Sequence, residues 1–204
     1  MILLHTVFLY LHIALGALAL VVYWLPITTK KGGSLHIQAG KLFYYLMLFV
    51  AASGMIMSVI SLYDPISIYI NGRQLSSAQI NSFLAWRIPF SHFLLLLSLL
   101  TWVTVRHAVA VLQVKDNRLR LRGIRFQGPV FLLFPYALYV LYQGLNIGMP
   151  LLTIFAIVSM ISAITISLYV YKTTVSPRAW IIEHFSSKKR NSFVVFKPVS
   201  CIKN

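Results

Sequence analysis

Polar residues break this chain only at intervals, and between the breaks run five stretches that are apolar on every face. They cover roughly Ile2–Ile27, His36–Leu62, Leu84–Leu112, Val130–Ile147 and Leu151–Tyr171. Neither the alternation of a half-buried strand nor the one-sided stripe of a surface helix organises them. As a helix rising about 1.5 Å per residue, each stretch matches a hydrocarbon layer about 30 Å thick. A backbone in lipid must pair its polar groups internally, and continuous apolar runs of this length predict helices, not barrel strands. The predicted fold class is all-α: a polytopic transmembrane helical bundle of five spans. It forms one domain over residues 1–187, followed by a basic tail, residues 188–204, that reads as disordered.

Punctuation between the spans is less uniform. Pro26, Pro129 and Pro150 fall at segment edges, where proline is tolerated. Pro89 and Pro135 are expected inside the first turns of their segments, bending but not breaking them. In the second loop, Ile66-Ser67-Ile68-Tyr69-Ile70 leads into Asn71-Gly72, a two-residue hairpin signal. A small hairpin is one expectation there. An ordered loop without function is the preferred one.

Composition agrees with the pattern: of 204 residues, 59% are hydrophobic and 10% charged, against about 25% charged in soluble domains. The net charge of +15 changes the picture only through its distribution. Lys30 and Lys31 lie in the first loop. Lys115, Arg118, Arg120, Arg122 and Arg125 lie in the third. The tail holds Lys172, Arg178, Lys188, Lys189, Arg190, Lys197 and Lys203. The second loop offers Arg73, with Arg87 at the start of the next span, and the fourth loop has no charge. Alternate loops are basic, which places the N-terminus outside and the C-terminus in the cytoplasm. The expected partners are therefore the bilayer and anionic headgroups at the basic loops, not nucleic acid, with self-association left open. Tyr23, Trp24, Trp102, Tyr169 and Tyr171 at one level and Trp86 at the other fit aromatic belts. No positive residue precedes the first apolar run, so it is expected to be retained as a helix and not removed as a signal. The one cysteine, Cys201, excludes an internal disulfide.

Small residues mark packing faces: Ala51, Ala52, Ser53, Gly54 and Ser58 in the second span, and Ser159, Ser162 and Thr165 in the fifth. The three acids, Asp64, Asp116 and Glu183, all fall in loops or tail, which argues against a proton-coupled transporter. No H-E-x-x-H, phosphate loop, carboxylate pair or nucleophile elbow occurs, so no catalytic motif is recognised.

Candidate chemistry rests on the six histidines. Depth places His12 and His92 at one level within the membrane, and His36, His107 and His184 together near the opposite face, with His5 at the rim. A b-type haem needs two imidazoles at matching depth on different helices. His12 precedes Gly16 and His36 precedes Gly40 by four residues, which puts a notch on the same helical side as each imidazole. The candidate cofactor-binding residues are His12, His36, His92, His107 and His184. The candidate ligands are haem b, a quinone or a metal. Against them stands the structural alternative, histidines that only bond neighbouring helices.

The repeated His-x3-Gly carries a resemblance. His12-Ile13-Ala14-Leu15-Gly16, and then Lys31-Gly32-Gly33-x2-His36-x3-Gly40, resemble a family of uncharacterised bacterial multi-pass membrane proteins known only as a domain of unknown function. Leu100 to Arg106 is similar to that family's third-helix end, and Trp180-x3-His184 to the start of a late helix. The resemblance implies a helical bundle in the bacterial inner membrane, with His12, Gly16, Gly33, His36, Gly40 and His184 as family-like positions and no established reaction. After Ser187 the chain departs: such proteins continue with methionine and another apolar helix, whereas here Lys188-Lys189-Arg190 opens a polar end, as expected of a truncated or altered reading frame. Two function classes lead: a ligand-binding membrane protein using the histidines, and a non-enzymatic structural or accessory membrane protein; a small-solute transporter is a third, disfavoured by the missing intramembrane acids.

Overall fold

The computed structural model describes residues 1–70, 72–114 and 117–172. The helices are α1 (Ile2–Thr28), α2 (Ser34–Tyr63), α3 (Pro65–Tyr69), α4 (Ser77–Val114), α5 (Ile124–Asn146) and α6 (Pro150–Tyr171), with a 3-10 turn at Arg118–Arg122. All but α3 are long and apolar enough to cross a membrane. The described residues contain no strand. The fold is the expected all-α transmembrane bundle of five spans. The predicted tail and His184 lie outside the described residues.

Two local expectations are corrected. Ile66–Ile70 does not form a hairpin strand; Pro65–Tyr69 is a short helix. Asp64 caps it, its Oδ1 accepting from the Ser67 amide at 3.1 Å, and Pro65 occupies the first turn, where no amide is needed. The Ser67 contacts hold the Asp64 carboxyl below the usual carboxylate range. Asn71 lies outside the described residues. The second correction concerns Pro89 and Pro135, which sit about three turns inside α4 and α5 rather than in first turns. Both helices begin earlier than hydropathy implies. At α4 the reason is a capping box: Ser76 N donates to Gln79 Oε1 at 2.9 Å, and Gln79 N donates back to Ser76 Oγ at 3.4 Å.

Short connections make consecutive spans antiparallel, and α4 is central. The chain builds outward from it: α2 packs on α4, α1 packs mainly on α2, and α5 and α6 form a hairpin docked on the other side. The seam between α4 and that hairpin repeats every three or four residues: Phe93, Leu96, Leu100 and Val103 face Val130, Leu133, Ala137 and Val140. Most of α1 stays exposed; only Ala19, Val22 and Pro26 are buried. Lipid is as apolar as leucine, so that exposure is not penalised, and close packing decides which helices associate.

The two ends of the bundle are closed by specific contacts. Gly148 adopts φ +65° between α5 and α6. Met149 N donates to Gly144 O at 2.9 Å and Gly148 N to Leu145 O at 3.4 Å, the paired bonds of a Schellman cap. At the opposite end, Arg118 Nη1 donates to Tyr169 O at 2.9 Å and Arg122 Nε to Val170 O at 3.5 Å. These carbonyls belong to the last turn of α6, where the helix dipole favours cations and no intrahelical amide is available. Tyr169 therefore departs from the aromatic-belt expectation. It is buried, with His107 against its edge and the Arg118 guanidinium over its ring. Trp24 and Trp86 are exposed, as belt residues should be.

Candidate functional site

Each intramembrane histidine is held by the packing of a particular helix pair. His12, on α1, faces α2: its Nδ1 lies 2.9 Å from Ser53 Oγ. The Ser53 hydroxyl donates to Val50 O at 3.0 Å, so the imidazole supplies the hydrogen at Nδ1 and keeps a lone pair on Nε2. Gly54 makes the approach possible. A Cβ there would strike Ser98 Oγ on α4 and sit 3.5 Å from His12 Cε1.

His36 stands at the start of α2 and reaches back across the first loop. Its Nδ1 donates to Pro26 O at 3.0 Å, satisfying a carbonyl in the last turn of α1. The histidine is therefore a side-chain cap that ties the end of one span to the start of the next.

His92 points from α4 to α5. Its Nδ1 lies 2.9 Å from Tyr136 Oη, and that hydroxyl is 3.3 Å from the His92 carbonyl. Tyr139 meets the imidazole edge-on at 4.9 Å between centroids, and its hydroxyl accepts from Gln143 Nε2 at 2.8 Å. Hydropathy alone does not single out Tyr136 and Tyr139. Their three-residue spacing beside an apolar seam is the signal that identifies them.

His107 is completely buried, flanked by Phe126 of α5 and Tyr169 of α6 at ring separations of 5.8 and 5.6 Å. His5 lies at the α3 end, its Nε2 3.5 Å from Tyr69 Oη.

The expected depth pairing does not form. His12 is level with Ser98 through the Gly54 contact, and Ser98 follows His92 along α4 by six residues, about 9 Å. His12 belongs to the α1–α2 interface and His92 to the α4–α5 interface. Nor do His36 and His107 share an interface. The glycine notches also differ from expectation: a Cβ at Gly16 or Gly40 would meet nothing within 4 Å. A four-residue step does put Gly16 on His12's side of α1, which faces α2, yet no atom comes within 4 Å of that Cβ position. The glycine that does admit a neighbour beside a histidine is Gly54, which the small-residue cluster had marked as packing. The hydroxyls of Ser159 and Ser162 are buried and bond back to Phe155 O and Val158 O, at 2.8 Å each, which lets α6 pack closely without polar cross-links at these positions. Among the described residues no group of three or more His, Cys, Asp or Glu could hold a metal ion.

What the fold and these contacts define is a polytopic helical membrane protein with histidines bonded between α1 and α2 and between α4 and α5. Comparison with family models, curated proteins and solved structures gives no match.

Proposed function

We propose that this chain is a non-enzymatic structural or accessory protein of a bacterial inner membrane, with its N-terminus outside and its basic tail in the cytoplasm. In this reading His12, His36 and His92 act as interhelical ties. The observation that carries it is that their Nδ1 atoms are committed at 2.9, 3.0 and 2.9 Å to Ser53, Pro26 and Tyr136, the first two joining α1 to α2 and the third joining α4 to α5. Directed polar bonds fix register between helices that apolar packing alone leaves free to slide. Arg120 and Arg125, both exposed, are the loop cations available to anionic headgroups, with the bilayer itself as the main partner.

A second reading, a haem b or another small ligand, is favoured by one feature. The Nδ1-bonded imidazole of His12 presents its Nε2 lone pair, the arrangement a ligating histidine uses. A reduced-minus-oxidised absorption spectrum with metal analysis on the purified protein separates the two. A b-type band lost in His12→Ala would replace the structural reading. A blank spectrum, with His12→Ala and His92→Ala lowering stability alone, supports it. Orientation is tested by labelling Arg73→Cys, in a Cys201→Ser background, with an impermeant maleimide on intact cells. Labelling only after lysis would reverse the assignment.

A further inference from the structure

At the α3 end of the bundle, three elements converge on one cation. Arg87 of α4 lies flat on Tyr69 of α3, its guanidinium carbon 3.6 Å from the ring centroid. Phe90 lies 5.6 Å and Trp86 6.0 Å from the same carbon. On the edge of Tyr69 sits His5 of α1, its ring perpendicular to the tyrosine at 5.8 Å.

This cage removes water from one edge of the guanidinium without replacing it. Arg87 Nε is buried and has no acceptor, and the side chain forms no hydrogen bond or ion pair among the described residues. The residue as a whole stays partly exposed. The nearest acid in sequence, Asp64, has its carboxylate turned to the Ser67 amide. The contrast with the other end is direct. There Arg118 and Arg122 each donate to a helix carbonyl. Arg87 has aromatic faces around it and no oxygen.

A guanidinium presents a planar fork of donors that matches two oxygens of a carboxylate or phosphate. Aromatic walls fix the plane of the fork in advance and lower the local dielectric, which strengthens pairing with an anion entering at the open edge. His5 Nε2 and Tyr69 Oη, 3.5 Å apart, place two more hydrogen-bonding groups beside the cage.

We propose that Arg87, with Tyr69 and His5, is an oxyanion-binding site at the α3 end, taking a phosphate group that belongs either to a lipid headgroup or to a soluble anion.

The test uses the full chain, purified and delipidated in neutral detergent at constant ionic strength. Inorganic phosphate and short-chain phosphatidylglycerol are titrated separately, with chloride as the control and tryptophan fluorescence as the readout, since Trp86 adjoins the cage. Saturable binding of either probe is expected, weakened about tenfold in Arg87→Lys, which keeps the charge and loses the fork. Arg87→Gln should abolish it. Binding of phosphatidylglycerol alone assigns a lipid headgroup; binding of both assigns a site that reads the phosphate itself. If neither probe exceeds chloride, or if binding survives unchanged in Arg87→Lys, the proposal is overturned. Should Arg87→Gln fail to fold, Tyr69→Leu takes its place: it removes the wall that orients the fork, and unchanged affinity there also overturns the proposal.

Discussion

Gly144→Ala should destabilise the protein even though alanine is the better helix former. Gly144 lies in the last turn of α5, where α6 begins its return. A Cβ there would meet Leu152 Cβ at 2.9 Å, Thr153 Oγ1 at 2.9 Å and Thr153 N at 3.0 Å. The hydroxyl can rotate away. The backbone nitrogen and the Leu152 Cβ cannot move without shifting α6. That shift would also disturb the bond from Met149 N to Gly144 O, at 2.9 Å, which closes the turn. Forced overpacking of this kind costs about 1–3 kcal/mol. The propensity gain from glycine to alanine is about 1 kcal/mol in a helix interior and less in a last turn. The net expectation is a loss of about 1–2 kcal/mol, roughly a tenfold rise in the unfolding constant. Gly16→Ala is the matched control. Nothing lies within 4 Å of its Cβ, so the propensity gain stands alone and the variant should be unchanged or stabilised by up to about 1 kcal/mol. Both are measured by SDS titration in mixed micelles, following helicity by circular dichroism. Equal stability of Gly144→Ala and wild type would refute the close packing of α5 on α6, as would a Gly16→Ala loss as large as that of Gly144→Ala.

Three further outcomes are expected. His36→Ala should lose about 1 kcal/mol by uncapping Pro26 O, and His36→Asn should recover part of it in the same titration; no loss would remove His36 from the list of interhelical ties. Arg118→Ala should free the end of α6 and cost about 1–2 kcal/mol, with Arg118→Lys intermediate; faster amide exchange confined to the last turn of α6 is the check. Asp64 titrates lower in the folded chain than unfolded, so its contribution is complete above about pH 4 and disappears as pH falls through the folded value. Asp64→Asn, which keeps an acceptor for the Ser67 amide, should flatten stability over that acidic window, and an unaltered acid profile would contradict the cap.

Much of the architecture was legible from the chain alone because lipid imposes one rule at a time. An apolar run long enough to span must be helical to pair its own backbone, and this determined the number, type and approximate limits of the spans. The buried serines and Gly54 were also legible as packing positions, since only small side chains let helix axes close up. Helix starts were less so: α4 begins with a capping box at Ser76 and Gln79, and polar caps are invisible to hydropathy. The short α3 is not legible from hydropathy or turn signals, because its start at Asp64-Pro65 acts through local hydrogen bonding. The tertiary structure alone decided which histidine meets which helix. Depth counts residues along an axis; it contains neither the rotation of a helix nor the identity of its neighbours. Hence His12 and His92 seemed a pair and belong to opposite sides of α4. The same limit hid the cage around Arg87, whose parts come from α1, α3 and α4 and meet only because those three ends pack together.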